Sequence, residues 1–123
     1  MTSGPSGTGG PASARHEIDP EALYHLATPE GWGRYGRQGC VAPASLDDEG
    51  FVHCSWGRQL PGTLARHFAG VAELLALRID PSRLGGLRFV EEDSYGSGQS
   101  FPHVYGALPT DAVVDVVPVA GPA

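Results

Sequence analysis

From residue 20 onward, short apolar runs alternate with segments rich in glycine, proline and polar residues. Five of these runs have the length and composition of β-strands, and they lie at residues 23–28, 51–55, 74–80, 87–92 and 112–119. In the third run Leu75, Leu77 and Ile79 recur at every second position, so we expect these side chains to face a core together. Pro118 in the last run indicates an edge strand, because proline cannot donate to a neighbouring strand.

Two helices are predicted between the early strands. Thr28 and Pro29 have the residue types of an N-cap and a first helical position, but the glycines within residues 31–36 predict that this helix is short. Residues 60–69 predict a second helix, with Pro61 in its first turn.

The remaining segments predict loops. Residues 41–49 form a loop that contains one helical turn at residues 45–49, and residues 80–84 form a turn or a short helix. The polar, glycine-bearing residues 93–100 are expected to be mobile. Because helices separate the early strands while strands gather late in the chain, the predicted fold class is α+β and not a parallel doubly wound sheet.

The chain has 123 residues, of which 41% are hydrophobic, and this is enough for one core. We expect a single domain at residues 20–123, preceded by a flexible tail at residues 1–19 that is rich in glycine, proline, serine and alanine. The tail lacks the apolar core of a signal peptide, and no later run is long enough to span a bilayer. A cytoplasmic protein with no membrane partner is therefore expected.

Charge and cysteine content narrow the classes of function. The net charge is -6, and all 8 basic residues are arginine. This balance disfavours nucleic acid as a partner, and the absence of lysine excludes a lysine Schiff base or a P-loop lysine. Cys40 and Cys54 are predicted to be free thiols. Cys54 is predicted to pack in the core, on the opposite strand face from His53.

Three of the five histidines lie in apolar or aromatic contexts that suggest a shared site. They are His25 after Tyr24, His53 two residues before Ser55, and His103 two residues before Tyr105 at the end of a loop. One such histidine alone is most often a core residue bonded to the backbone. Three together favour a solvent-reachable hollow on which the imidazoles converge.

Several uses of these histidines can be compared. No metal is expected, because no two of them have a short spacing such as His-x-His. A Ser55-based triad is disfavoured, because no Gly-x-Ser-x-Gly elbow surrounds this serine. Substrate binding fits best, since imidazoles can donate to ribose hydroxyls and tyrosines can stack on heteroaromatic rings. Glu91 and Glu92 could stabilise an oxocarbenium-like centre, or form a solvated strand end.

Four motifs occur in a characteristic order: Tyr24-His25-Leu26-Ala27, Glu49-Gly50-Phe51-Val52-His53-Cys54-Ser55, Ile79-Asp80-Pro81 and Phe101-Pro102-His103-Val104-Tyr105-Gly106. Together they resemble the domain of unknown function 952 (DUF952) family of small bacterial proteins. This family is similar to the ADP-ribosyltransferase-like superfamily, especially its RNA 2'-phosphotransferase branch.

The resemblance implies a small split β-sheet core with two or three short helices, and an NAD-binding cleft between the two sheets. It implies that His25 contacts the nicotinamide-side ribose, and that His53 and Ser55 form the second strand motif. Glu91 is the candidate for the superfamily glutamate, with His103 or Tyr105 as the alternative in its place.

The expected function is therefore that of an enzyme that binds NAD or a related nucleotide as its substrate, and that transfers to or hydrolyses at a ribosyl centre. Tyr24 or Tyr105 would stack a base, and Trp32, which anchors the first helix, is counted among the substrate-binding residues. A monomer or homodimer is expected. The alternatives are a non-catalytic small-molecule-binding accessory domain, or a cyclase, hydrolase or isomerase of specialised metabolism.

Overall fold

A computed structural model describes residues 17–93 and 96–121 of the chain. The strands are β1 (Leu23–Ala27), β2 (Cys40–Val41), β3 (Val52–His53), β4 (Ser55–Trp56), β5 (Glu73–Ile79), β6 (Arg88–Glu92), β7 (Phe101–Tyr105), β8 (Leu108–Pro109) and β9 (Val113–Ala120). The α-helices are α1 (Pro29–Gln38), α2 (Ala44–Glu49) and α3 (Leu60–His67). Short 3-10 helices lie at Gly57–Gln59, Pro81–Arg83 and Thr110–Ala112.

The described strands form three sheets, with the orders β4-β1-β5-β9, β3-β7-β6 and β2-β8. All the strand pairs in this part of the chain are antiparallel. The predicted α+β class is therefore confirmed. β9 is an edge strand, as Pro118 indicated.

Helix α1 begins at the residues that its sequence predicts, but it is longer than expected. The Thr28 hydroxyl accepts the Gly31 N–H at 3.0 Å, and Gly39 ends the helix with a φ of 79°. The helix has 10 residues despite its internal glycines, so the prediction of a short helix was wrong. Burial of one helix face, which carries Tyr35, outweighs the low helix propensity of glycine.

The predicted strand at residues 51–55 is divided between two sheets. Val52 and His53 pair with β7, whereas Ser55 and Trp56 pair with β1. Between them, the Cys54 N–H donates to the Pro102 carbonyl at 3.0 Å, which keeps the crossing point attached to β7. Local alternation predicts a strand here, but it cannot show that the strand changes partners halfway along.

The four-stranded sheet has buried side chains on both faces. On one face Leu77 and Ile79 join the larger core cluster, and Leu75 packs against it, as the alternation predicted. On the other face α3 covers Tyr24 and Ala76. None of the helices in the described ranges is both long and apolar enough to cross a bilayer.

The start of the described chain is attached to this second face. The Asp19 N–H donates to the Tyr24 hydroxyl at 2.9 Å, and the Asp19 carboxylate pairs with Arg78 at 3.3 Å. Asp19 therefore belongs to the folded part, while residues 1–16 of the predicted tail lie outside the described residues.

Candidate functional site

A cavity of about 270 Å³ lies where the two larger sheets separate. The pairing of β4 with β1 ends at Ser55 opposite Tyr24, and the chain before Ser55 belongs to the other sheet. His25 and Leu26 line the cavity from β1, and His53 and Ser55 line it from the divided segment. Two of the three predicted histidines therefore meet at one hollow.

The backbone of Leu26 faces this gap. The Ala22 carbonyl accepts the Gly57 N–H at 2.9 Å, so the polar backbone groups of Ala22 point to the β4 side of β1. In an antiparallel strand, alternate residues point their N–H and C=O groups to the same side. Those of Leu26 therefore point to the β4 side too, beyond the last pair of the β1–β4 register. They offer one hydrogen-bond donor and one acceptor to a molecule in the cavity.

His25 spans the separation between the sheets. Its Nδ1 is 2.7 Å from the His53 carbonyl oxygen, and because a carbonyl only accepts, Nδ1 carries the proton. The neutral ring then has an acceptor lone pair at Nε2. Burial lowers the pKa of His25, an effect that the bond to the His53 carbonyl partly offsets. The ring is therefore neutral near pH 7.

Ser55 also presents an acceptor. The Thr63 hydroxyl donates to the Gln59 carbonyl at 3.2 Å, which uses its proton. Ser55 therefore donates its own proton to Thr63 Oγ1, at 2.9 Å. The remaining lone pair of Ser55 Oγ can accept from a ligand, but the hydroxyl proton is not held by a base. This arrangement does not activate Ser55 as a nucleophile.

Besides His25, two histidines stand at the cavity wall. His53 Nε2 is 2.7 Å from Glu49 Oε1, at the end of α2. His67 lines the cavity from the end of α3, and burial, followed by the charge of Arg66, lowers its pKa. His67 was left out of the site predicted from the sequence, because a histidine on a helix gave no sign that α3 packs beside β4.

The rest of the wall is largely apolar and aromatic. Phe68 and Phe101 line it together with the Cys54 thiol. Burial raises the pKa of Cys54 to about 12, so this thiol stays protonated and is a poor nucleophile. Cys40 and Cys54 are both free, and Cys54 packs in the larger core cluster, as predicted.

His103 does not line the cavity, and its predicted position at the end of a loop was wrong. It lies in the middle of β7, is only 1% exposed, and stacks on Phe51 with a centroid separation of 4.0 Å. Its Nδ1 is 2.8 Å from Glu92 Oε2, and the Tyr105 hydroxyl donates to the same oxygen. The sequence pattern did not predict β7, because proline is uncommon inside a strand and Pro102 directly follows the residues predicted as a loop and Phe101.

The structure separates the other predicted site residues. Glu91 Oε1 accepts the indole N–H of Trp56 at 2.9 Å, on the opposite face of β6 from Glu92. Trp32 packs against the larger core cluster. Tyr24 contacts the cavity, but it is fully buried and its hydroxyl bonds Asp19. Of these three residues, Glu91 and Trp32 do not line the cavity.

In the described ranges, no three His, Cys, Asp or Glu side chains are arranged to hold a metal ion. The cavity wall in this part of the protein also carries no arginine, aspartate or glutamate side chain. Its polar contribution consists of imidazoles, hydroxyls and strand backbone.

These features define a class of small antiparallel α+β proteins with a cavity between two diverging sheets. The profile of the family described as "Protein of unknown function (DUF952)" matches residues 26–116. The chain belongs to this family, as its motifs predicted.

Two solved structures are similar to the chain over most of both lengths. The crystal structure of protein CC0527 from Caulobacter crescentus has a TM-score of 0.65 and 31% identity, and the match covers 80% of this chain and 83% of that one. The solution NMR structure of CC0527 has a TM-score of 0.62 and 30% identity, with 78% and 82% covered. Among curated proteins, none matches the chain significantly.

Proposed function

We propose that this protein binds NAD or a related nucleotide, and that the nicotinamide-riboside end occupies the cavity between the sheets. The observation that carries the proposal is the backbone of Leu26, which lines the cavity beyond the last residue pair of β1 and β4. A primary carboxamide presents its acceptor oxygen and one of its two N–H donors side by side in a plane, so it can pair with a strand N–H and C=O as another strand would.

The side chains around this edge suit the remainder of such a ligand. His25 Nε2 and Ser55 Oγ are both acceptors, and they match the hydroxyl protons of a ribose or the second proton of an amide. Phe68 and Phe101 provide apolar area for a flat ring. The ligand therefore acts as the hydrogen-bond donor toward both His25 and Ser55.

The size of the cavity limits what it holds. Ligand pockets usually measure about 300–1,000 Å³, and this cavity, at about 270 Å³, is slightly smaller. It accommodates a nucleoside-sized group, and the phosphates of a dinucleotide lie outside. Since the described wall has no arginine, the phosphates add little to the affinity, and a nucleoside binds nearly as well as NAD.

Ligand binding is better supported than ribosyl transfer. In a transferase or hydrolase, a carboxylate near the ribose stabilises the developing positive charge. The described cavity wall has no carboxylate, and Glu91 bonds Trp56 instead. The enzymatic alternative is favoured by the His53–Glu49 contact, since a carboxylate that orients an imidazole is a common catalytic arrangement.

Calorimetric titration with nicotinamide riboside, NAD, ADP-ribose and nicotinamide tests the proposal. We expect binding of nicotinamide riboside and NAD with similar affinity, and weaker binding of ADP-ribose, which lacks the carboxamide. Ser55→Ala should weaken the affinity about five- to tenfold through loss of one hydrogen bond. Ser82→Ala, which alters an exposed hydroxyl bonded to Asp80, is the matched control.

Absence of heat with all four ligands at millimolar concentration would exclude the proposal. If binding occurs, chromatographic detection of free nicotinamide after incubation with NAD distinguishes an enzyme from a binding domain.

A further inference from the structure

Glu92 holds a buried histidine in one tautomer. Its carboxylate lies 2.8 Å from His103 Nδ1, and a carboxylate only accepts. His103 Nδ1 therefore carries the proton, and in the neutral ring Nε2 is unprotonated. Tyr105 donates to the same Glu92 oxygen. These two bonds lower the pKa of Glu92, and the bond from Tyr105 has the larger effect. Glu92 is therefore ionised and remains an acceptor.

Nε2 of His103 is a buried nitrogen with no hydrogen-bond partner in the described residues. Buried polar side-chain atoms are rarely left in this condition in folded proteins. The ring cannot easily turn to bring Nε2 to a hydrogen-bond partner, because Phe51 stacks on one face and Glu92 holds the other nitrogen. The energetic cost of this arrangement suggests that the unprotonated nitrogen has a use.

His103 lies one layer behind the cavity wall. His53 is its direct partner across β3 and β7, and the two rings meet edge to face with centroids 5.1 Å apart. Phe101, two residues earlier on the same face of β7, also lines the cavity. Two of the residues that neighbour His103 on this sheet face are thus part of the cavity wall.

We propose that Glu92 is a positioning residue of the cavity, which holds His103 as the Nδ1–H tautomer and so fixes the ring on which the imidazole of His53 rests. His103 supports the ring of His53, and Glu92 thereby acts on a bound ligand through His53. The ligand part rests on the proposed function, whereas the tautomer part stands on the free protein alone.

Long-range ¹⁵N NMR of the imidazoles tests the tautomer, with His103→Phe used to assign the signals. We expect a protonated Nδ1 and an unprotonated Nε2 at pH 7.5. Glu92→Ala removes the acceptor and should shift His103 toward the Nε2–H tautomer. Glu92→Gln should restore the original form, because its side-chain carbonyl can still accept. Glu91→Ala, on the opposite face of the same strand, should change nothing at His103.

Affinity for nicotinamide riboside supplies the second measurement. We expect it to fall about tenfold in Glu92→Ala, to recover in Glu92→Gln, and to stay within twofold in Glu91→Ala. An unchanged His103 tautomer in Glu92→Ala, or an equal change in Glu91→Ala, would overturn the inference. If the wild-type protein binds no ligand, the proposed function fails, and the tautomer measurement still decides whether Glu92 positions His103.

Discussion

His25 and His53 are joined by a hydrogen bond from a side chain to a backbone carbonyl, and this bond crosses the gap between two sheets. Nδ1 of His25 lies 2.7 Å from the carbonyl oxygen of His53, 28 residues later in the chain. His25 belongs to the four-stranded sheet and His53 to the three-stranded one. One imidazole thus bonds a backbone carbonyl of the other sheet, and it lines the cavity formed where the two sheets separate.

Substitutions of His25 should separate stability from binding. The side-chain amide of asparagine can replace the Nδ1–H donor, but it has no group at the position of Nε2. We expect His25→Ala to lower the free energy of unfolding by about 2–3 kcal/mol, through a lost ring and an unpaired buried carbonyl. His25→Asn should lower it by about 1 kcal/mol or less. Urea denaturation measures both.

Both variants should lose most of their affinity for nicotinamide riboside, because each lacks the Nε2 acceptor. Equal destabilisation by His25→Asn and His25→Ala would contradict the assigned role of Nδ1.

The stability of the protein should fall as the pH is lowered below about 6.5. Burial lowers the pKa of His25 from its ordinary value of 6.5, so the unfolded chain takes up a proton before the folded one does. Stability therefore falls between pH 6.5 and the lower folded pKa, by up to about 1.4 kcal/mol per pH unit. Above or below this pH range, the titration of His25 leaves the stability unchanged.

Urea midpoints at pH 7.5, 6.0 and 5.0 measure this effect. His25→Asn should flatten the dependence, whereas His67→Asn should retain most of it, since His67 is exposed and contributes little. A wild-type midpoint that is constant from pH 7.5 to 5.0 would show that His25 is not held neutral by burial.

The two cysteines should differ in reactivity. With a pKa of about 12, Cys54 has a thiolate fraction of roughly 10⁻⁴ at pH 8, and it is 4% exposed. Iodoacetamide should modify the native protein once, at half-buried Cys40, and the unfolded protein twice, as shown by mass spectrometry. Cys40→Ala should abolish native modification. Rapid alkylation of Cys54 in that variant would mean that the cavity opens widely in solution.

Two glycines should respond in opposite ways to alanine. A Cβ at Gly57 would lie 1.9 Å from the Asp19 carbonyl oxygen, so the segment that precedes β1 would have to move. We expect Gly57→Ala to lower the free energy of unfolding by about 3 kcal/mol or more. A Cβ at Gly62, in the first turn of α3, meets nothing within 4 Å. Gly62→Ala should stabilise the protein by about 0.5–1 kcal/mol.

Thermal unfolding of both glycine variants provides the comparison. A harmless Gly57→Ala would show that the residues around Asp19 are not packed on the 3-10 helix that begins at Gly57.

Local patterns were sufficient for much of the fold. The alternation of Leu75, Leu77 and Ile79 predicted which face of β5 is buried, and Thr28 and Pro29 predicted where α1 begins. These features depend on interactions within a few residues, which the sequence displays directly. The family was also evident from the order of its motifs, and residues 26–116 match its profile.

The candidate site could be predicted only in part. His25, His53 and Ser55 were identified, and all three line the cavity. His103 was grouped with them because its aromatic surroundings look the same in sequence, yet it lies buried behind the wall. Glu91, the carboxylate that the family resemblance implied, bonds Trp56 and does not line the cavity; adjacent strand residues cannot be assigned to faces until the register is known.

The sequence alone thus determined the α+β class, most of the longer strands, the start of α1 and two of the imidazoles that meet at the cavity. Only the tertiary structure decided that the chain changes sheets at Cys54, and that His67 reaches the same wall from α3. The reason is that strand pairing joins residues far apart in the chain, and its register follows from the packing of whole sheets, which no short pattern of residues contains.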